Sequence, residues 1–579
     1  MKGHDNHRFG RGFWLTLGLA LCLPGCDAGD TRRPSPAAAG GSSETGRLPT
    51  VHEPHVSQIR FRERAPDEQQ AFVHRNGEES GHAAILEVVG GGVAIFDYDG
   101  DGDLDLFFPG GGRFGTARQL VPLPGALYRN EGTWRFTRQE SVAGLDAPRT
   151  YNHGTAVGDY DNDGFPDLVI TGYGGLQLYQ NAGDGTFRDM TDPSALDDRL
   201  WSSSAAWGDF DGDGSLDLFV AHYVDWSFDN DPFCPAADER RRERCTPQRF
   251  GPLPESLYRS RSDGTFADAS NECGLRRDGK GLGVVLADID LDGDLDIYVA
   301  NDTVAKFLYV NDGSARFREV GSASGAAFND TGAPDGSMGV AVCDFNLDGL
   351  PDLWVVNYER EMIGLYQNLG RGGFEHVSQK TGVAAVGDVF VGFGTVFLDA
   401  DRDGDEDVFV ANGHVLLYPN NAPVRQVPLF FENLGGARFV NVAPQAGDYL
   451  RAPHVGRGVA RGDLDGDGDL DLAVSHLNEK VALLENLADD GNSWLAVRLM
   501  GTTTNRDAVG VRATLHVTGG RQMRQVTSGE SYLSHSDRTL FWGVPRGQMI
   551  ESLVVEWPTG RTQTLTGVRP NGTLTVREP

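Results

Sequence analysis

The amino-acid sequence predicts an all-β protein in which a seven-bladed β-propeller is followed by a small β-rich C-terminal domain. Three observations support this fold class: an acidic nine-residue pattern recurs seven times, similar short apolar runs flank the copies, and a different β-rich pattern follows the last one. Repeats of this size, each reading as about four strands, are typical of propeller blades. The predicted organisation is an export signal at 1–26, a flexible tether at 27–50, the propeller at 51–487 and the second domain at 492–579.

The acidic pattern is D-x-[DN]-x-D-G-x-x-D, and successive copies begin 50 to 79 residues apart. An apolar run precedes each copy, as at 92–96, and a β-rich run follows it, as at 104–108. A second signature, close to L-Y-x-N-x-G-x-x-x-F, comes next, first at Leu127. An isolated four-stranded sheet would leave an apolar face exposed, so seven such sheets are expected to close into a ring. The last unit lacks a clear fourth strand, and residues 58–63 are predicted to supply it.

Four positions of each pattern, the first, third, fifth and ninth, carry side-chain oxygens. Their density suits Ca²⁺, which accepts six to eight oxygen ligands in flexible geometry, better than Mg²⁺. The Gly at position 6 allows a sharp turn, and the carbonyl of position 7 can complete the shell. The sequence therefore predicts up to seven calcium sites. The candidate ligands are Asp97, Asp99, Asp101 and Asp105; Asp159, Asp161, Asp163 and Asp167; Asp209, Asp211, Asp213 and Asp217; Asp288, Asp290, Asp292 and Asp296; Asp344, Asn346, Asp348 and Asp352; Asp399, Asp401, Asp403 and Asp407; Asp463, Asp465, Asp467 and Asp471.

An EF-hand begins with a similar pattern, but it needs flanking helices and a bidentate Glu at position 12 of its loop. Position 12 is apolar in all seven copies here, as at Phe108 and Val220, and it lies in strand-like runs. The EF-hand interpretation is therefore rejected. Without a cation, the carboxylates of one loop would repel one another by about 1 kcal/mol per close pair even at the dielectric constant of water.

The N-terminus reads as an export signal, because Arg8 and Arg11 precede an apolar run at 13–23 that is too short to span a bilayer. Small residues then precede Cys26, which resembles the lipobox of bacterial lipoproteins. This resemblance implies lipidation of Cys26 and a location in the cell envelope or at the cell surface, with the lipid as the only membrane contact; an ordinary cleaved signal is the alternative. The net charge of −32 argues against nucleic acid as a partner.

The remaining cysteines include one expected pair. Cys234 and Cys245 bracket a polar insertion at about 225–252, and export makes a disulfide between them chemically reasonable. Cys343 lies in an apolar run and is expected to be a buried thiol. No CxxC pair or His-Cys group indicates zinc.

The repeats resemble the calcium-binding FG-GAP, or VCBS, repeats of integrin α-subunit propellers and of secreted bacterial proteins. Segments near the C-terminus, including 505–510, 531–537 and 555–560, resemble the ASPIC/UnbV domain. Together these features make the chain similar to the cartilage acidic protein family. The resemblance implies calcium in hairpin loops of an integrin-like propeller, but it implies no catalytic activity.

The sequence contains no nucleophile elbow, HExxH motif or phosphate-binding Gly loop. Ser531, His535 and Asp537 lie too close in sequence for a triad, so a polar turn that contacts the propeller is favoured. The tripeptide 461–463 spells Arg-Gly-Asp, but Asp463 is already a candidate metal ligand.

Two polar segments, 301–303 and 412–414, follow the second strand of their blades and would either line the mouth of the propeller or form ordinary turns. The main functional hypothesis is a binding or adhesion module for an extracellular glycan or an envelope protein, rather than an enzyme. Two alternatives stay open: an enzyme that acts on extracellular polysaccharide through the propeller mouth, and a structural component of an envelope complex.

Overall fold

The computed structural model describes residues 55–64, 71–116, 118–139, 144–488 and 491–579. The predictions for the export signal, Cys26 and the tether therefore lie outside the described residues. Val56–Pro579 forms one compact unit. Within the described ranges, no helix is both long enough and apolar enough to cross a bilayer.

The first 32 strands of the described chain make the propeller and its insertions. Successive side chains of these short apolar runs point to opposite faces, and nearly all residues of the inner strands are buried because each face packs against a neighbouring blade. The strands are β1 Phe61–Arg64, β2 Ala94–Phe96, β3 Asp105–Phe108, β4 Gly112–Phe114, β5 Leu120–Pro122, β6 Ala126–Asn130, β7 Phe136–Arg138, β8 Tyr151–Gly158, β9 Asp167–Tyr173, β10 Gly175–Asn181, β11 Phe187–Asp189, β12 Ser202–Gly208, β13 Asp217–His222, β14 Cys234–Pro235, β15 Arg242–Glu243, β16 Ser256–Ser260, β17 Phe266–Asp268, β18 Gly281–Ala287, β19 Asp296–Asn301, β20 Phe307–Asn311, β21 Phe317–Glu319, β22 Ser337–Cys343, β23 Asp352–Asn357, β24 Gly364–Asn368, β25 Phe374–His376, β26 Gly392–Leu398, β27 Asp407–Asn412, β28 Leu429–Asn433, β29 Phe439–Asn441, β30 Gly456–Gly462, β31 Asp471–His476 and β32 Ala482–Asn486.

Within the part of the chain that the structure describes, helical structure is confined to single turns between these strands. The segments are α1 Gly321–Ser324 and the 3₁₀ turns Glu78–Ser80, Ile85–Val88, Pro247–Arg249, Val383–Val386 and Tyr449–Arg451.

Seven antiparallel sheets, each with four strands of the propeller, form the blades. From the innermost strand outward, blade 1 is β2-β3-β6-β7, blade 2 is β8-β9-β10-β11, blade 3 is β12-β13-β16-β17, blade 4 is β18-β19-β20-β21, blade 5 is β22-β23-β24-β25, blade 6 is β26-β27-β28-β29 and blade 7 is β30-β31-β32-β1. Each innermost strand contacts that of the next blade, and β30 of blade 7 contacts β2 of blade 1. The predicted all-β propeller is confirmed.

The ring is closed by a strand from the N-terminal side. β1 pairs antiparallel with β32, with Phe61 opposite Asn486 and Arg64 opposite Leu483. The Phe61 ring lies 5.3 Å from that of Phe430 in blade 6. The closing strand predicted at 58–63 is thus present, shifted to Phe61–Arg64.

The insertion of blade 3 lies between β13 and β16, where β14 and β15 form a small hairpin. A disulfide joins Cys234 to Cys245, which confirms the predicted pair. Cys273 and Cys343 are free thiols, and both are buried, as predicted for Cys343.

The C-terminal domain adds two sheets, ordered β37-β33-β40 and β35-β34-β38-β39. Its apolar face packs on the propeller, because Val511 and Trp542 share one buried core with Leu286 and Ile297 of blade 4. Its strands are β33 Ser493–Met500, β34 Arg512–Val517, β35 Gly520–Gln525, β36 Ser528–Gly529, β37 Leu540–Val544, β38 Ile550–Glu556, β39 Thr562–Thr566 and β40 Gly572–Arg577.

A segment of this domain, residues 528–537, runs through the centre of the propeller and is called the pore segment below. β36 pairs with the innermost strand of blade 4, and residues 530–536 are all buried. Hydrogen bonds join the pore segment to all seven blades. In blade 1 the partner is Val93, directly before the innermost strand, and in the other blades the partner lies in the innermost strand itself. From blade 1 to blade 7 the partners are Val93, Thr155, Trp207, Val284, Val340, Thr395 and Arg461. The central channel is therefore filled by the protein's own chain.

Candidate metal loops

Each acidic pattern connects the innermost strand of a blade to the second strand, so all seven loops lie at the same end of the ring. The Gly at position 6 adopts a left-handed conformation in every copy, with φ between 88° and 100°. Its N–H donates to the Oδ2 atom of the first Asp at 2.9 to 3.2 Å in all seven loops. The repeated sequence therefore produces a repeated loop geometry.

The Asp at position 9 anchors each loop to the blade. In blade 1, Asp105 accepts the N–H of Tyr98 at 3.0 Å and that of Asn130 at 2.8 Å. The second of these bonds recurs in all seven blades, with a donor at the end of the third strand. The ninth Asp thus ties the loop to two strands and can still direct lone pairs towards a cation.

The carboxylates of the loops converge. One oxygen from each of Asp97, Asp99 and Asp105 lies within 4.8 Å of the others. At least four further loops hold a trio of aspartates that is equally close, from positions 1, 3 and 9 or from positions 1, 3 and 5. Burial, together with repulsion from neighbouring aspartates, raises the pKa of Asp105 to about 8 and that of Asp167 to about 9. Deprotonated aspartates in such a position need a positive partner.

Unpaired oxygens show where that partner would bind. The Oδ1 atoms of Asp159, Asp288 and Asp399 are buried and have no hydrogen-bond partner, although Oδ2 of each accepts the loop N–H. Buried acceptors are almost always satisfied in folded proteins. A set of three to five hard oxygen donors with unsatisfied lone pairs fits a hard divalent cation.

The Asn of the second signature, which recurs in six of the seven blades, has a structural role that sequence reasoning missed. The Asn130 amide donates to the carbonyl of Leu464 at 2.8 Å, in the loop of blade 7. Five other blades use their Asn in the same way to reach the loop of the preceding blade. The recurrence of Asn in the L-Y-x-N signature was the only sequence signal that could have indicated this contact between blades. Six of the seven loops are therefore linked to the next blade in this way; blade 3 has Ser260 in place of the Asn.

Comparisons with known proteins agree with this arrangement. The model of the FG-GAP-like repeat matches at 97–170, 159–220, 254–299, 288–355, 344–410 and 399–474. The chain belongs to the FG-GAP-like repeat family. The ASPIC and UnbV model matches residues 501–579.

Curated relatives of this FG-GAP-like chain include Cartilage acidic protein 1 from Mus musculus, at 26% identity over 53% of this chain and 46% of the relative. The Xenopus tropicalis protein of the same name is 25% identical over 84% of this chain and 73% of its own. The chain spans about half the length of the first curated relatives it matches. Among solved structures, the Dos1 propeller aligns with a TM-score of 0.36 and 9% identity, over 69% of this chain and 92% of that one.

The FG-GAP-like loops are not equivalent. Arg129, directly before the Asn of blade 1, forms ion pairs with Asp99 at 2.7 Å and Asp101 at 2.9 Å. Arg259 contacts Asp211 from the equivalent position in blade 3. In these two loops a guanidinium already neutralises part of the negative charge.

The C-terminal domain covers several FG-GAP-like loops. The Gly543 N–H donates to Asp399 Oδ2 at 2.8 Å, and Arg506 Nε lies 3.4 Å from Asp159 Oδ2. Asp507 accepts the N–H of Asp159 at 3.0 Å. The first ligand position of loops 2 and 6 therefore also forms part of an interface within the chain.

The other sequence candidates lie in the pore segment, in loop 7 and around the end of the propeller opposite the loops. Ser531, His535 and Asp537 belong to the pore segment, and no hydrogen bond joins their side chains in the described chain; the segment does contact the propeller, as predicted. Asp463 accepts the N–H groups of Gly466 and Gly468 within loop 7. Residues 302 and 303 line a cavity at the end opposite the loops, whereas His414 is buried.

Proposed function

We propose that this protein is an exported, calcium-binding β-propeller that acts as a binding or adhesion module in the bacterial cell envelope. The observation that carries the proposal is the set of seven acidic loops with one shared geometry at one end of the ring. Such loops would hold neighbouring hairpins rigid when a cation neutralises them, and their carboxylates would then be occupied by the metal. A rigid propeller offers a broad end face on which a large ligand can bind.

Calcium is the favoured cation because the loops supply several hard oxygens in a flexible arrangement, whereas Mg²⁺ requires a tighter octahedron and keeps more of its water. The ligands would be the aspartates at positions 1, 3, 5 and 9 of each loop, with Asn346 at position 3 of loop 5. Ligand charge differs among the loops, since loops 1, 4, 6 and 7 have a further Asp at position 7. Affinity is expected to follow this charge.

Export is supported by the Cys234–Cys245 disulfide, because such bonds persist in oxidising compartments. We place the lipid anchor at Cys26 and the flexible tether at 27–50, so that the propeller would be held near a membrane. The ligand would be an extracellular polysaccharide or another envelope protein. Since the pore segment fills the channel, this ligand would bind at an end face rather than in the pore.

The calcium assignment is tested by stoichiometry and stability. Chelation should lower the melting temperature, and calcium should restore it more effectively than magnesium. Asp209→Asn and Asp211→Asn should each weaken the third site, while Asp263→Asn in an exposed turn of the same blade should not. Millimolar calcium is needed, since sites of extracellular modules often have a Kd of about 10⁻⁴ to 10⁻³ M. A chelated protein with unchanged melting and no calcium uptake would refute the assignment.

The binding role is tested separately, with calcium present throughout. A glycan array and an affinity capture from solubilised envelope should yield a ligand that is lost when the loops are stripped of metal. If both experiments are negative with a calcium-loaded protein, the proposed function is wrong even though the metal assignment stands.

A further inference from the structure

A cavity of about 470 Å³ lies at the end of the propeller opposite the metal loops. It is formed where second strands end and innermost strands begin, mainly in blades 3 to 6. The residues that matter for recognition are Tyr223, Asp302, Tyr358, Glu361, Phe393 and Tyr532. This volume falls in the range of small-molecule sites, which combine apolar walls with a few polar groups.

The pore segment supplies one wall of the cavity. Tyr532 lies at its turn, where Ser531 and Leu533 both have positive φ. The Tyr532 ring packs edge-on against Phe393, with centroids 4.9 Å apart. The other face of Phe393 is covered by the guanidinium of Arg457, 3.8 Å from the ring centre.

Two carboxylates converge beside these rings. Tyr223 donates to Asp302 Oδ2 at 2.6 Å, and the Gly336 N–H donates to Glu361 Oε2 at 2.6 Å. A Cβ at Gly336 would lie 3.1 Å from Asp302 Oδ1 and 3.5 Å from Glu361 Oε2, so the two groups face the same small space. Burial raises the pKa of Asp302 to about 6 and that of Glu361 to about 7. A cation between them would favour their charged forms.

The remaining charges around the cavity offset these carboxylates only in part. The nearby Lys280 ammonium acts to lower the pKa of Asp302, against the effect of burial. The Arg457 guanidinium lies on the far face of Phe393. Arg244 pairs with Glu87 at 3.2 Å and with Glu78 at 2.9 Å. The Lys280 ammonium donates to the Pro247 carbonyl at 2.8 Å. The other charged side chains of the lining are Glu359, which lies 3.6 Å from His414 Nε2, and the exposed Arg360. Because Asp302 and Glu361 face the same small space, that space favours a cation over an anion.

We propose that this cavity binds a hexosamine unit with a free amino group, whose ammonium sits between Asp302 and Glu361. The aromatic rings attract a cation and provide flat surfaces for a saturated ring. An ammonium group donates only three hydrogen bonds. The cavity lining offers more than three polar side-chain atoms, on Asp302, Thr303, Glu359, Glu361 and Gln248. The hydroxyl groups of a sugar would form hydrogen bonds with the polar atoms that the ammonium does not contact.

This inference rests on the proposed binding function, for which it supplies the recognition site and the ligand class. The test is isothermal titration of the calcium-loaded full chain with a β-1,4-linked glucosamine trisaccharide. The N-acetylated trisaccharide is the matched neutral probe, and Nα-acetyl-lysine methylamide supplies an ammonium without a sugar. The glucosamine trisaccharide should bind, and acetylation of its amino groups should weaken binding about tenfold or more, as expected for the loss of a charge-assisted hydrogen bond.

Variants locate the site. Asp302→Asn and Glu361→Gln keep the shape of each side chain and should each weaken binding of the glucosamine probe about tenfold. Asp388→Asn is the control, because Asp388 is exposed and contacts Arg360 through its backbone carbonyl at 2.7 Å. Tyr532→Ala should also weaken binding, whereas Tyr532→Phe keeps the ring and should retain most of it. An unchanged melting temperature confirms that each variant is folded.

Three outcomes would overturn the inference: equal binding of the two trisaccharides, binding of the lysine probe in preference to both, or full binding by the Asp302 and Glu361 variants. Absence of heat with every probe would overturn it as well. If calcium uptake and an envelope ligand are nevertheless found, only the cavity assignment fails. If neither is found, the proposed function fails too.

Discussion

Arg129 and Gln180 occupy equivalent positions in neighbouring blades, yet they leave their acidic loops with different charges. Arg129 pairs with Asp99 and Asp101, whereas the Gln180 amide donates a neutral hydrogen bond to Asp161 at 2.5 Å. A guanidinium at this place competes with a metal ion for the same carboxylates. The first loop should therefore bind calcium more weakly than the charge of its aspartates implies.

Replacing Arg129 by the residue of blade 2 tests this competition. Arg129→Gln should raise calcium affinity at the first loop by about two- to fivefold, since a part-exposed ion pair is worth about 0–1 kcal/mol. A calcium titration of the Asp97→Asn variant identifies the binding step of the first loop, because that step should be missing in this variant. Arg135→Gln is the control, because the exposed Arg135 side chain donates to the backbone carbonyl of Glu131 and not to a loop aspartate among the described residues. Equal affinities in Arg129→Gln and the parent protein would contradict the prediction.

The ninth aspartates predict an unusual pH dependence for the metal-free protein. Burial raises the pKa of Asp217 to about 7 and that of Asp296 and Asp352 to about 8, above the ordinary value of 3.8. Below pH 4 these groups are protonated in both folded and unfolded states, so they do not affect stability. As the pH rises towards 8, ionisation costs more in the folded state, so stability falls.

In chelator, the melting temperature should therefore decrease between about pH 5 and pH 8, because the folded state holds more protons over this window. In saturating calcium the decrease should disappear or reverse, because the metal requires the deprotonated ligands. Thermal melts at several pH values, with and without calcium, measure the difference. A melting temperature that rises with pH in chelator would show that the buried aspartates do not behave in this way.

At the scale of secondary-structure elements, the closing strand β1 decides whether blade 7 is complete. Phe61 is 5% exposed and packs on Phe430, so Phe61→Ala should lower the free energy of unfolding by about 3–5 kcal/mol. Val56→Ala is the control, since Val56 is 69% exposed. Urea unfolding in calcium measures both changes. A Phe61→Ala cost below about 1 kcal/mol would mean that the clasp contributes little.

The strands and loops were predictable because their signals are local. An apolar run, an acidic loop with Gly at position 6 and a second apolar run recur within about twenty residues, and repetition strengthens each of them. The missing fourth strand of blade 7 was predictable for a related reason: a ring of equal blades requires a partner for β32. The Cys234–Cys245 pair was indicated by its place around one insertion.

The pore segment and the cavity were not predictable from local signals. Thr155 and Leu533 are hydrogen-bonded in the structure but lie several hundred residues apart in the chain. The residues around Thr155 give no indication that it pairs with Leu533, and those around Leu533 give none that it pairs with Thr155. Asp302 and Glu361 likewise come from adjacent blades, and their convergence depends on how the blades are placed around the axis. The sequence left open whether residue 302 lines the mouth or belongs to an ordinary turn, and it did not identify the partners of Asp302.

At the scale of the whole molecule, the pore segment joins the two predicted domains into one structure. It bonds to all seven blades, and the C-terminal domain shares a buried core with blade 4. Two regions connected in this way should unfold together rather than one after the other. Scanning calorimetry of the calcium-loaded chain should therefore show a single transition for propeller and C-terminal domain.

A matched pair of glycine variants tests whether the pore segment causes this cooperativity. Gly529 and Gly519 both have positive φ, of 76° and 94°, so replacement by Ala strains the backbone in each. At Gly529 the new Cβ would lie 2.4 Å from the Val284 carbonyl oxygen in the channel, whereas at Gly519 it would meet nothing within 4 Å. Gly529→Ala should consequently lower the midpoint of the single transition well beyond the effect of Gly519→Ala. Equal shifts, or a C-terminal domain that melts separately in the parent protein, would show that the blades hold together without the segment that fills their axis.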